Sequence, residues 1–188
     1  MSYQGLETLP FVNETEIAKV LEWVPLIDVL ERAMIGFSAG QVEQPVRQVV
    51  PVPGYDAIIA AMPAVGEAMA VKVVTLYHGN AGTGLPTHQA INQVFDKANG
   101  SLLAVLDGRL ITEMRTVAGS AAAGRKLAVA APEVTTIMGR GVQARAHVKA
   151  LGAIRSLGEL RLWSRTEATG RGVAEEIGAI LAVMLKRR

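Results

Sequence analysis

Gly139, Gly141 and Ala144 stand in the run Gly-Arg-Gly-Val-Gln-Ala at the spacing G-x-G-x-x-A. A β-branched stretch over 133–138 leads into this run. A helical stretch to about residue 154 follows it, and Glu-Leu-Arg-Leu-Trp then ends at Ser164, Arg165 and Thr166. Each small residue has a use in that order of strand, turn, helix and strand. Gly139 makes the tight turn, Gly141 lets a pyrophosphate approach the backbone, and Ala144 lets the helix pack closely on the strand. Val142 and Gln143 open the helix, where free N–H groups and the macrodipole favour an anion. The chemistry predicted is dinucleotide binding. An acidic side chain at the end of the second strand would bond the ribose hydroxyls of NAD, whereas an arginine accommodates the 2′-phosphate of NADP. Ser164, Arg165 and Thr166 include no carboxylate, so NADP is the expected cofactor and NAD the alternative. Arg140, a cation inside the glycine turn, either adds a phosphate contact or obstructs the pocket.

The elements that must hold this turn are read from periodicity. Asn13 followed by Glu16 predicts a capped helix with Ile17, Val20 and Leu21 on one face, and Pro25 is expected to interrupt it after Val24. A second helix is predicted over 25–39, its apolar residues recurring at three and four and Gly40 standing at its C-terminal end. Strands are predicted over 46–50, 57–62 and 70–77. The segments 88–95 and 101–106 form a hairpin around Asp-Lys-Ala-Asn-Gly at 96–100. A small-residue helix over 110–127 ends before Pro132. The tail over 166–188 reads as one amphipathic helix, with Val173, Ile177, Ile180, Leu181, Met184 and Leu185 on a face. A single βαβ unit with two parallel strands is expected, leaving apolar surface that a parallel sheet normally covers, so the chain reads as truncated.

Of 188 residues, half are hydrophobic and 19% are charged, the make-up of a folded protein with a buried core. There is no cysteine, which removes thiolate metal sites, disulfides and cysteine nucleophiles. His78, His88 and His147 are too far apart for a local metal motif, so no metal is expected. Residues 1–70 carry nine acids and three bases, whereas residues 71–188 carry eight acids and sixteen bases. The second part therefore suits an anionic ligand. With aromatics at 4% and no basic block, nucleic acid is not the expected partner. No signal-like or membrane-spanning stretch is present in the sequence, and a cytoplasmic location is expected.

Three collinear motifs then carry a resemblance: Gln143-Ala144-Arg145-Ala146-His147, Gly84-Leu85-Pro86-Thr87-His88-Gln89, and Leu106-Asp107-Gly108 followed by Met114-Arg115-Thr116. From about residue 11 to 166 the chain resembles the ornithine cyclodeaminase/mu-crystallin family. Gln44-Pro45-Val46-Arg47 and Val49-Val50-Pro51-Val52 look closest to the mu-crystallin branch, which is associated with ketimine reductase activity and thyroid-hormone binding. The resemblance implies an α/β protein with an α+β part: a substrate-binding and dimerisation domain over 1–131, then a partial Rossmann-like dinucleotide-binding unit over 132–188. It implies that Arg47, Lys72 and Arg115 hold a substrate carboxylate, that Arg115 also lies near the cofactor phosphates, and that Thr87 lies beside the cofactor. A lysine so placed can also give a proton to a nitrogen that receives hydride. No catalytic role is assigned to His88 or His147. Ala60-Ala61-Met62-Pro63 lacks the glutamate that the cyclodeaminases carry before Met-Pro. The expected function is thus NADP-dependent reduction of a cyclic imino acid, by a homodimer joined through the acidic first part and the alanine-rich helix. The alternatives are a non-enzymatic crystallin-like, hormone-binding or dimerising protein, and an ornithine cyclodeaminase or amino-acid dehydrogenase.

Overall fold

Asn13 accepts the backbone N–H of Glu16, and the Glu16 carboxylate accepts that of Asn13. This reciprocal cap starts α1 (Glu14–Val20), as its sequence predicts. The structure, a computed structural model, describes residues 9–183. In α2 (Trp23–Ser38), Pro25 lies inside the first turn instead of breaking the helix, because an N–H there has no helical partner to lose. Gly40, with φ +71°, closes the helix at the expected place.

Compactness divides the chain inside its two long helices. One unit holds the chain up to Leu21 together with Ala33–Thr112, and the other holds Glu22–Arg32 together with the chain from Glu113 onward. The expected boundary at 131/132 follows the change in strand type and not this division.

In the first unit, β2 (Gln48–Pro51), β3 (Ala57–Val65), β4 (Met69–Tyr77), β5 (His88–Phe95) and β6 (Leu102–Asp107) form an antiparallel sheet in which neighbours in sequence are neighbours in space. The hairpin between β5 and β6 turns where predicted, with Gly100 at φ +78° and the Asp96 carboxylate accepting the Ala98 N–H. A two-residue strand, β1 (Phe11–Val12), adds in parallel to the far side of β6. Two residues carry no readable periodicity, and the sequence does not announce it.

At the exit of β6 the chain passes very close to β5. A Cβ on Gly108 would lie 2.7 Å from the Cβ of Ala90 and 2.8 Å from its carbonyl carbon and oxygen. The Gly108 N–H donates to that same Ala90 carbonyl at 2.7 Å. From this point α3 (Arg109–Leu127) departs, capped by the Asp107 carboxylate, which accepts the Arg109 N–H at 2.8 Å. Arg109 grips Glu14 of α1 through two of its nitrogens.

In the second unit, β7 (Val134–Met138), β8 (Glu159–Ser164) and β9 (Ile180–Val183) form a parallel sheet in that order, with α4 (Val142–Gly152) and α5 (Glu167–Glu176) as the connections. The single tail helix expected over 166–188 is therefore corrected. Gly178, at φ +66°, ends the helical path, and the apolar run after it extends along β8. Two successive βαβ units stand where one was expected. Met184 and Leu185 of the expected helix face lie outside the described residues. Gly158 enters β8 at φ +59° with no room for a side chain, since a Cβ would come within 2.3 Å of the carbonyl oxygens of Pro132 and Glu133.

The core of this unit is made of small residues: Val117, Ala118, Ala121 and Ala122 of α3 close against Ile27 of α2 and Ala146 and Ala150 of α4. The alanine face of α3 is thus consumed within the chain and is not the dimer surface expected of it. Arg125 donates to Asp28 at 2.6 Å and Lys126 pairs with Glu31 at 2.9 Å, so acids of α2 meet bases of α3. Hydrogen bonding to Lys126 holds the Glu31 carboxyl below the ordinary glutamate value, and the Arg109 side chain does the same for Glu14.

Two outcomes follow for stability. Gly108→Ala is expected to destabilise the fold by about 1–3 kcal/mol in urea unfolding, because the new methyl meets backbone that cannot yield. A lowered carboxyl pKa stabilises at pH values above the ordinary glutamate value, about 4.3, and the gain is lost as pH falls through the native value. Glu14→Gln, which removes a partly exposed pair, is expected to cost about 0.2–1 kcal/mol at pH 7 and much less at pH 3.

Candidate functional site

Lys72 lies mid-strand in β4, with Met62 opposite it on β3 and Asn92 opposite it on β5. Paired residues share a sheet face. This is the face on which Ala60 and Val74 are buried and to which Thr112 of α3 is joined. The half-buried Lys72 Nζ donates to Thr112 Oγ1 at 2.7 Å, and Thr112 Oγ1 donates in turn to the Gly108 carbonyl at 2.6 Å. The ammonium is therefore held by a relay that begins where Gly108, just past β6, lies against Ala90 of β5.

Arg47 is exposed and directly precedes β2, whose terminal pair at that end is Gln48 with Ala61. Arg115 is exposed on α3, one helical turn past Thr112. Thr87 is exposed just before β5, and its carbonyl accepts the Tyr77 N–H at 2.9 Å, closing the glycine-rich loop between β4 and β5.

A cavity of about 400 Å³ in the first unit opens on the other face, between Val73, Thr75, Gln89, Ile91, Asp107 and Arg109. Asp107, part of the Leu-Asp-Gly motif in the sequence, lines this cavity as well as capping α3. Its neighbour Arg109 gave no periodic signal that could have pointed to Glu14.

In the second unit the glycine turn has the form that its spacing predicts. Gly139 takes φ +109° and donates its N–H to the Trp163 carbonyl at 3.0 Å, tying the turn to the end of β8. A Cβ at Gly139 or at Gly141 would meet nothing within 4 Å, so the space above the turn is open. Gly141 is the N-cap of α4 and supplies no side chain to its first N–H groups, so Val142 and Gln143 begin the helix without a side-chain cap. Ala144 is buried against Leu162, Val173 and Ala174, as close packing of helix on strand requires. Arg145 donates to both oxygens of Glu176 at 2.7 and 2.8 Å and to the Arg140 carbonyl at 3.2 Å, fastening the turn to the end of α5.

Above the ends of β7 and β8 lies a cavity of about 450 Å³ lined by Gly139, Arg140, Trp163, Ser164, Arg165 and Thr166. The structure brings Gly139, Ser164, Arg165 and Thr166 together here, with Gly141, Val142 and Gln143 continuing into the helix. Thr87 and Arg115 do not line it. Ser164 is 3% exposed. Arg140 is the lining residue that the spacing left undecided. His147 bonds through Nδ1 to the Gln143 carbonyl one turn back at 2.7 Å, which accounts for it structurally. Among the described residues no cluster of three His, Asp or Glu could hold a metal ion, and no helix is long and apolar enough to cross a membrane.

With this geometry in view, the comparisons with known proteins are specific. The model of the ornithine cyclodeaminase/mu-crystallin family matches residues 9–183. Ketimine reductase mu-crystallin of Mus musculus is 42% identical over 158 residues, covering 81% of this chain and 50% of its own length. Delta(1)-pyrroline-2-carboxylate reductase 2 of Burkholderia ambifaria is 31% identical over 170 residues, 90% of this chain and 54% of its own. Among solved structures, Thermococcus litoralis Delta(1)-pyrroline-2-carboxylate reductase in complex with NADH and L-proline superposes with a TM-score of 0.84 at 28% identity, over 94% of this chain and 57% of that one. The chain spans about half the length of the curated relatives it matches.

Proposed function

The chain belongs to the ornithine cyclodeaminase/mu-crystallin family, and from that premise we propose that it serves the NADP-dependent reduction of a cyclic imino acid. The observation that carries this reading is the open glycine turn above β7 and β8, whose cavity is lined by two arginines and no carboxylate. The residues fit a dinucleotide. Gly139 and Gly141 leave the backbone approachable, α4 has no side-chain cap and would offer its N–H groups to a pyrophosphate, and Ser164 to Thr166 would meet the ribose edge. When bound, the nucleotide supplies the hydride. Arg165 would accept a 2′-phosphate and so favour NADP over NAD.

The chain's own residues would do the rest. Lys72, fixed by Thr112, together with Arg47 and Arg115, would hold the α-carboxylate of the substrate by point-charge and forked contacts. Lys72 would also give a proton to the ring nitrogen as its carbon is reduced. Ala60-Ala61-Met62-Pro63 holds no glutamate before Met-Pro, where the cyclodeaminase pattern carries one, which supports imine reduction over deamination and ring closure. Residues 1–131 are proposed as the substrate and dimerisation domain and 132–188 as the dinucleotide unit, in a cytoplasmic homodimer. The sheet face away from Lys72 suits the dimer contact, since Val50, Ile59, Val65 and Ile91 are exposed on it.

NADPH titration of the purified chain, coupled to turnover of Δ1-pyrroline-2-carboxylate, tests the proposal. Arg165→Ala is expected to weaken NADPH by about 2–3 kcal/mol and NADH far less; equal losses would count against the 2′-phosphate contact. Lys72→Met is expected to abolish imine reduction with NADPH affinity nearly unchanged, and retained turnover would remove Lys72 from the chemistry. In light scattering at micromolar concentration the chain is expected to run as a dimer and Ile59→Lys as a monomer. A monomeric parent chain would refute the dimer.

A further inference from the structure

Arg140 is the x of the first G-x in the glycine turn, and its carbonyl, not its side chain, is what Arg145 engages. Arg140 lines one cavity with Ser164, Arg165 and Thr166, at the end of β8. Among the described residues neither Arg140 nor Arg165 is in an ion pair, and no carboxylate lines the cavity. Three acids of this unit are engaged elsewhere, Glu159 by Arg161, Glu167 by Arg171 and Glu176 by Arg145. Two cationic residues lining one cavity without a carboxylate repel each other, and a doubly charged anion bound between them would remove that cost.

We propose that Arg140 and Arg165 close as a two-guanidinium clamp on the 2′-phosphate of the nucleotide, so that Arg140, within the glycine turn, is a determinant of cofactor choice. The inference rests on the dinucleotide reading of this cavity and adds to it the residue and the group that it holds. The pyrophosphate is the less suitable partner for the Arg140 side chain. That group would be met by the N-terminus of α4, whose N-cap is Gly141, whereas Arg140 precedes that N-terminus and shares its cavity with Ser164, Arg165 and Thr166, the residues at the end of β8 where a ribose edge would lie. A phosphomonoester offers three oxygens and up to two charges, enough for a forked contact to each arginine.

Isothermal titration with 2′,5′-ADP and with 5′-ADP tests the clamp on the chain as it is, without any need for turnover. Arg140→Ala is expected to weaken 2′,5′-ADP at least ~10-fold, as the loss of a charge-assisted contact implies, while 5′-ADP changes little. Arg140→Lys should recover only part of the loss, because a point charge replaces a fork. The Arg140→Ala, Arg165→Ala double variant should lose less than the product of the two single losses, since both act on one group. Equal weakening of 2′,5′-ADP and 5′-ADP by Arg140→Ala would place Arg140 on the diphosphate, and no effect on either would leave it a solvated cation; each result overturns the clamp. If the parent chain binds NADPH but Arg140→Ala leaves its affinity untouched, only the clamp fails. If the parent chain binds neither NADPH nor 2′,5′-ADP, the dinucleotide reading fails with it.

Discussion

At Gly108 the last residues of β6 lie against the backbone of Ala90 at a distance that admits no side chain. That approach fixes where α3 begins, and with it the position of Thr112, whose hydroxyl bonds back to the Gly108 carbonyl. Thr112 in turn accepts the Lys72 ammonium. A half-buried lysine in a strand of valines and alanines is costly unless its charge is solvated by protein, and a hydroxyl already polarised by a carbonyl is a good acceptor for it. The lysine proposed to meet the substrate is held through backbone geometry two elements away.

The charge asymmetry of the sequence has a structural resolution. Acids of the first part are spent on arginines and lysines of α3, as in the contacts of Glu14 with Arg109, Asp28 with Arg125 and Glu31 with Lys126. Further along, Arg145, Arg161 and Arg171 find carboxylates of their own. The positive charge left above β7 and β8 is therefore local, and it sits on the two arginines that line the cavity. A net charge of +2 for the whole chain conceals this concentration.

What the sequence disclosed was whatever local rules determine. The cap at Asn13, the β5–β6 hairpin and the glycine turn are written in neighbouring residues and appear as predicted. The run Ile180–Val183 was misread because a short apolar segment after an amphipathic helix can continue its face or start a buried strand, and Gly178 with the open side of β8 decides for the strand. The alanines of α3 were read correctly as a close-packing face but assigned the wrong partner, since periodicity does not say which surface a face meets. Lys72 could be suspected from its setting, yet its bond to Thr112 spans forty residues and depends on the Gly108 contact, which no local pattern encodes. Arg140 was visible as a cation in the turn, while its sharing of a cavity with Arg165 belongs to the strand register.

Arg145 ties the Arg140 carbonyl to the Glu176 carboxylate, and so does more than link two segments. A glycine-rich turn is the part of a chain with the most conformational freedom to surrender, and a ligand that had to order it would give up much of its binding energy doing so. With the brace in place, that entropy is surrendered during folding. The backbone donors at the head of α4 are then already pointed when an anion arrives, and association proceeds as docking onto a finished surface, with no loop to be organised first.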